Sequence, residues 1–193
     1  MHTYEPANVS GGFFLCSIVL FNKGGVSLNM EKQHVGFDLT IYKGEEALPS
    51  ADLELLKRAR SATSGAYAPY SGFRVGAALL LQSGEVIIGS NQENASFPSG
   101  LCAERVAVFQ KGARFPEGLI EVLAVVALSP GNQLKTPAAP CGNCRQSLLE
   151  YEHRQKRPIR ILLQADNGRI YECPSVSALL PLGFDQSYLD SRF

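Results

Sequence analysis

The chain has 193 residues, enough for one domain that buries roughly 70% of the surface its unfolded form exposes, and short for two. Its 18 Lys and Arg balance 18 Asp and Glu, which removes any broad electrostatic reason for a nucleic-acid partner and suits a small neutral or zwitterionic one. Five cysteines, an odd number with three clustered by motif, point to metal binding or catalysis in a reducing, cytoplasmic setting rather than to a disulfide framework.

In chain order, the first feature is an apolar run from Phe13 to Phe21. It is about half the length that crosses a bilayer, so no membrane partner is expected. It also has no basic residues ahead of it and no small-x-small site after it, unlike a secretory signal. A more ordinary segment begins at Met30, so residues 1–29 read as an N-terminal extension of no evident role and 30–193 as a single domain. "GFDLTIY" (36–42) alternates and is β-branched, the pattern of an edge strand. Ser50 is a candidate N-cap for a helix through about Ser64, with Leu53, Leu56 and Ala59 on one face.

After the Gly/Pro/Tyr/Ser loop "GAYAPYSGF", "RVGAALLLQSGEVIIGS" reads as a β-hairpin about Ser83–Gly84. The polar loop "NQENASFPSG" delivers the chain to Cys102, and from Ala103 to about Gly112 a helix is expected to bury Val106, Val108 and Phe109. "EVLAVVAL" is apolar throughout, as a central strand covered on both faces is. "PCGNCRQSLLEYEHR" is a turn feeding a helix, and "IRILLQA", "GRIYECP" and "SVSALLPLGF" supply strand, strand and short helix. This order predicts a mixed central sheet with helices on both faces, a three-layer α/β/α sandwich. Neither G-x-x-x-x-G-K nor G-x-G-x-x-G occurs, so no phosphate or dinucleotide cradle is signalled.

The chemistry concentrates in two stretches, "GLCAERV" (100–106) and "PCGNC" (140–144). Catalytic zinc takes three protein ligands and leaves the fourth position of its tetrahedron open to water. Cys102, Cys141 and Cys144 supply three, each at the expected start of a helix, where free N–H groups and the positive dipole end favour thiolate. Arg105, three residues after Cys102, and Arg145, beside Cys144, are placed to offset the charge of three sulfurs. Glu104 is two residues past a ligand, so it projects away from that sulfur and can serve as acid and base without ligating. Two other readings share these residues. A redox C-x-x-C pair has the same spacing, and a closed structural site would recruit Cys16 or Cys173 as a fourth ligand. His2, His34 and His153 stand outside the motifs.

"AYAPYSGFRVGAAL", "NQENASFPSGLCAER", "PCGNCRQ" and "LLPLGF" occur in the order, and with roughly the spacing, of the cytidine deaminase family. The chain resembles that family's short, three-cysteine, homotetrameric class over about residues 50–186. The resemblance implies one Zn²⁺ per subunit on Cys102, Cys141 and Cys144, with Glu104 as the proton shuttle. It implies a nucleoside substrate held by Phe73, Asn91, Glu93 and the Ala103 backbone N–H, and Phe184 reaching into a neighbouring subunit's site. Hydrolytic deamination of cytidine and deoxycytidine in pyrimidine salvage is the activity expected. A deaminase of another cytosine compound, such as blasticidin S, would share the metal site. Ser90 and Gln92 stand where relatives more often have Cys and Ile, and residues 1–29 have no counterpart.

Overall fold

A computed structural model of the chain describes residues 30–131, 134, 136–164 and 167–189. Six strands, β1 (Thr40–Tyr42), β2 (Arg74–Leu81), β3 (Val86–Ser90), β4 (Ile120–Leu128), β5 (Arg160–Gln164) and β6 (Ile170–Cys173), form one sheet in the order β1-β6-β5-β4-β2-β3. Only β4 and β5 run parallel; the other neighbours are antiparallel. The parallel pair needs a crossover, and α3 (Gly142–Gln155) provides it. The remaining helices are α1 (Ser50–Ala62), α2 (Ala103–Arg114) and α4 (Val176–Leu179). All of these elements lie in the unit Val35–Phe193. No described helix is long and apolar enough to cross a membrane.

The alternation of side chains along the strands divides the core in two. Ala77 and Leu79 of β2, Leu123 and Val125 of β4, and Ile161 and Leu163 of β5 join Ala107, Val108, Leu148 and Leu149 of α2 and α3. Their neighbours Ala78, Val122, Ala124, Val126 and Leu162 pack against Leu55, Leu56 and Ala59 of α1. The predicted mixed sheet between helical layers is therefore the architecture found.

Three local expectations are corrected. Ser50 is the first helical residue and not the cap; Pro49 precedes the helix without a side-chain bond to it. The buried face of α1 runs through Asp52, Leu55, Leu56, Ala59 and Ala62, and Leu53 is only half-buried. Asp52 turns the helix this way because Arg160 takes both its oxygens, at 2.9 and 3.1 Å. On α2, Phe109 is exposed and Val106 half-buried, whereas Ala103, Ala107, Val108 and Lys111 face inward. The cause is close approach. A Cβ on Gly89 of β3 would lie 2.4 Å from the Ala103 carbonyl oxygen and 2.6 Å from the Ala107 nitrogen, so only small residues fit where α2 crosses the hairpin. The Lys111 stem fills the end of that face, and its ammonium donates to the Pro116 carbonyl at 3.0 Å.

Residues 40–47 fasten to this core through polar groups. The Tyr42 hydroxyl donates to Glu172 at 2.6 Å, and Glu172 accepts from Arg160 at 2.8 Å. Glu45 accepts from the Arg60 guanidinium and from Gln164. The edge strand expected at 36–42 is thus present, shortened to β1.

Candidate active site

The N-termini of α2 and α3 converge on one point. Cys102 is the N-cap of α2, Cys141 is the N-cap of α3, and Cys144 lies in the first turn of α3. An N-cap side chain ordinarily accepts a bond from its own helix, yet neither cysteine does so. Their sulfurs turn toward each other instead: Cys102 Sγ lies 3.8 Å from Cys141 Sγ, which lies 3.5 Å from Cys144 Sγ. Sulfurs at the corners of a tetrahedron about Zn²⁺, with bonds of about 2.3 Å, would stand about 3.8 Å apart. The donor set therefore fits a zinc ion.

All three ligand atoms lie within 4.8 Å of one another, and no other His, Cys, Asp or Glu among the described residues joins them. Cys173 is buried in the core, and Cys16 lies outside the described residues, as does His2. His153 sits 3.4 Å from Asp185 in the last turn of α3, and His34 is exposed. Among the described residues three sulfurs meet with one position of a tetrahedron left over, as in an open centre, and the third sulfur sets the cluster apart from a dithiol pair.

Charge around the sulfurs is uneven. The Cys102 thiol is pulled down to about 5, first by the Cys144 thiol that bonds to it and then, against burial, by Arg105. The same bond, with burial, holds the Cys144 thiol up, so Cys102 is the first of the pair to ionise. Arg105 donates to the Gly100 carbonyl at 3.3 Å and approaches Cys102 Sγ at 3.9 Å. Arg145 is engaged elsewhere, donating to the carbonyls of Pro140 and Leu179 at 2.7 Å each. Glu104 is only 4% exposed. Burial pushes its carboxyl above the ordinary range, opposed by its own backbone N–H and reinforced by the charge on Cys102.

A cavity of about 630 Å³ opens over these groups, within the range of small-molecule sites. Phe73, Asn91 and Glu93 line it together with Cys102, Glu104, Arg105 and Cys141. Ala103 is wholly buried beneath. Phe184 is not part of this wall; it is 56% exposed and stacks on Tyr188, ring centres 5.4 Å apart. Asn91 and Glu93 are also the fasteners of the cavity's other wall. Asn91 accepts from the Val75 N–H at 2.8 Å and donates to the Phe73 carbonyl at 2.9 Å. Glu93 accepts from the Ser71 hydroxyl and from the Tyr70 N–H at 2.9 Å, which together hold its carboxyl below the usual range.

Tyr70, Ser71, Phe97 and Asn143 also line the cavity, and motif reasoning passed over them. Tyr70 and Phe97, edge to face at 6.0 Å, carried one signal: large aromatics in otherwise polar loops beside the cysteine motif.

An open three-sulfur centre on paired helix N-termini, with a buried carboxylate beside it and an α/β/α sandwich beneath, defines a zinc hydrolase. The sequence profile of the cytidine and deoxycytidylate deaminase zinc-binding region matches residues 49–157. A cytidine deaminase of Halalkalibacterium halodurans is 42% identical over 130 residues, 67% of this chain and 91% of that protein. A cytidine deaminase of Sporosarcina psychrophila is 37% identical over 136 residues, 70% of this chain and 93% of that protein. The crystal structure of cytidine deaminase from Burkholderia pseudomallei superposes with a TM-score of 0.60 at 39% identity, covering 68% of this chain and 97% of that one. The chain belongs to the cytidine and deoxycytidylate deaminase family.

Proposed function

We propose that this chain hydrolyses cytidine and deoxycytidine to uridine and deoxyuridine with release of ammonia. The observation that carries the reading is the placing of Glu104, 4% exposed and beside the three sulfurs but outside their cluster. Zinc held by Cys102, Cys141 and Cys144 supplies Lewis acidity that brings the pKa of water toward neutrality. Glu104 accepts a proton from the attacking water and delivers it to ring N3. It then takes the remaining proton of that water, now the hydroxyl on ring C4, to the exocyclic amine, which leaves as ammonia as the C4–N bond breaks and the C4 carbonyl forms. A carboxyl raised by burial gives up and regains a proton more evenly at neutral pH than a surface carboxylate does.

Asn91 and Glu93 hold the ribose hydroxyls. Each has donor or acceptor capacity beyond its bonds to the 70–75 segment, so substrate binding and the shape of that wall depend on the same two side chains. Phe73 packs on the nucleoside, and the Ala103 N–H, at the first turn of α2, meets the pyrimidine carbonyl. Arg105 offsets the charge of the sulfurs. The chain works as a homotetramer with one zinc per subunit, Phe184 completing a neighbour's site, in cytoplasmic pyrimidine salvage and without nucleic-acid or membrane partners. Residues 30–193 suffice for activity, and residues 1–29 are dispensable.

Purified protein of measured zinc content, offered cytosine, cytidine, deoxycytidine, blasticidin S and a short oligonucleotide, tests the reading through the absorbance change of deamination. Turnover confined to the two nucleosides is expected. Preference for blasticidin S or for the oligonucleotide would overturn it.

A further inference from the structure

One stripe of α3 carries the chain's C-terminal arm. Arg145 Nη1 donates to the Leu179 carbonyl at 2.7 Å, and Gln146 Nε2 donates to the Phe184 carbonyl at 2.8 Å. One turn further, Leu149 presses so closely on Gly183 that a Cβ there would lie 2.5 Å from Leu149 Cδ2. A turn beyond that, His153 meets Asp185 at 3.4 Å. Leu179 and Leu180 at its base pack on the core, and beyond them the described residues lie open: Leu182 is 91% exposed, Phe184 56% and Tyr188 65%. Between Leu180 and Gly183 the chain makes a turn closed by a 3.1 Å bond, with Pro181 second and Leu182 third. Leu182 has φ 58, a conformation that favours glycine. A leucine there meets solvent with nearly all of its surface, so its burial within its own subunit does not explain it.

We propose that Gln146 is a positioning residue that aims Phe184 at the cavity of a second copy of the chain, while Arg145 fixes the base of the same arm to the Pro140–Cys141 turn. The proposal rests on the reading that Phe184 acts across a subunit boundary. Gln146 lies two residues past a metal ligand but does not line its own cavity, so its loss leaves its own subunit's chemistry in place. What changes is the aim of an aromatic side chain whose backbone carbonyl it holds. The defect therefore appears in the partner's substrate binding and not in the chain's own zinc or turnover.

Gln146→Glu keeps the shape and removes the donor. Its homo-oligomer is expected to bind zinc and to keep a near-parental kcat, while KM for cytidine rises about fivefold to tenfold, the effect of one lost hydrogen bond. Gln146→Lys, which restores a donor, should recover most of the loss. The deciding experiment co-expresses Gln146→Glu subunits with an excess of Glu104→Gln subunits, whose sites are inactive but whose arms are intact. All turnover then comes from Gln146→Glu sites served by sound arms, and KM should return toward the parental value. A tetramer whose KM ignores Gln146→Glu, or a raised KM that persists in mixed tetramers, overturns the proposal. So does loss of zinc or of assembly in both Gln146→Glu and Gln146→Met, which would assign the residue to folding. A parental chain that sediments as an active monomer instead refutes the action of Phe184 in trans, and the two failures are told apart by sedimentation alone.

Discussion

Replacing Gly89 with alanine puts a methyl group where α2 crosses β3 with no room for one. The added Cβ would stand 2.4 Å from the Ala103 carbonyl oxygen and 2.6 Å from the Ala107 nitrogen, so α2 must retreat by about 1 Å to regain ordinary contact. Both obstacles are backbone, and neither can rotate away. Overpacking of this kind costs about 1–3 kcal/mol of stability. The retreating helix carries Cys102 at its cap and Glu104 in its first turn, and a misplacement of about 1 Å in catalytic geometry lowers rates on the order of 100-fold. Gly89→Ala is therefore expected to unfold at lower urea and to lose about two orders of magnitude in kcat/KM for cytidine. Urea denaturation and steady-state kinetics at matched zinc content measure both. Gly142→Ala is the control, since nothing lies within 4 Å of a Cβ there. Parental stability and parental kcat/KM in Gly89→Ala would refute the argument that close packing on the hairpin places the site.

Glu104→Gln should retain zinc, as measured by metal analysis, and lose about 10²–10⁴ in kcat, the usual worth of a general acid and base. Cys141→Ala removes one of three ligands and should purify with far less zinc than the parent, alongside its loss of turnover. Glu172 tests pH dependence. Burial raises its carboxyl, but the Tyr42 hydroxyl and Arg160 outweigh that and hold it below the usual range. A lowered carboxylate stabilises the fold above its unfolded pKa, and the contribution fades as pH falls through the folded value. Glu172→Gln should thus be less stable than the parent by about 2 kcal/mol at pH 7, with the gap closing as acid is added below the ordinary glutamate range. A gap independent of pH in urea titrations would contradict this.

The site was more legible in the sequence than the packing that positions it. Cys102, Cys141 and Cys144 announce themselves because metal ligands must be particular residue types at particular turns, and those constraints are local. The succession of helices and strands along the chain likewise followed from runs whose period and length are local properties, whereas their order across the sheet, β1-β6-β5-β4-β2-β3, did not. The inward face of a helix is not local. Leu55 outranks Leu53 because Asp52 is drawn in by Arg160, 108 residues away. Phe109 is exposed and Ala107 buried because Gly89 admits only small neighbours. Periodicity weighs large apolar residues most heavily, and here a glycine and two alanines decide the contact. Nor could spacing reveal that Asn91 and Glu93 brace the loop opposite the sulfurs, since their partners are backbone groups that any sequence would carry.

The two cysteines that stand as helix caps without capping carry a consequence for the life of the protein in a cell. A metal held by Cys102, Cys141 and Cys144 ties the first turns of α2 and α3 to each other where no side-chain cap secures either, so supply of the ion becomes a quality-control matter. A cell short of zinc would not accumulate an intact but idle enzyme. It would hold a chain with loosened segments near Leu101 and Pro140, open to proteases, and the enzyme's abundance would follow the metal that it needs to work.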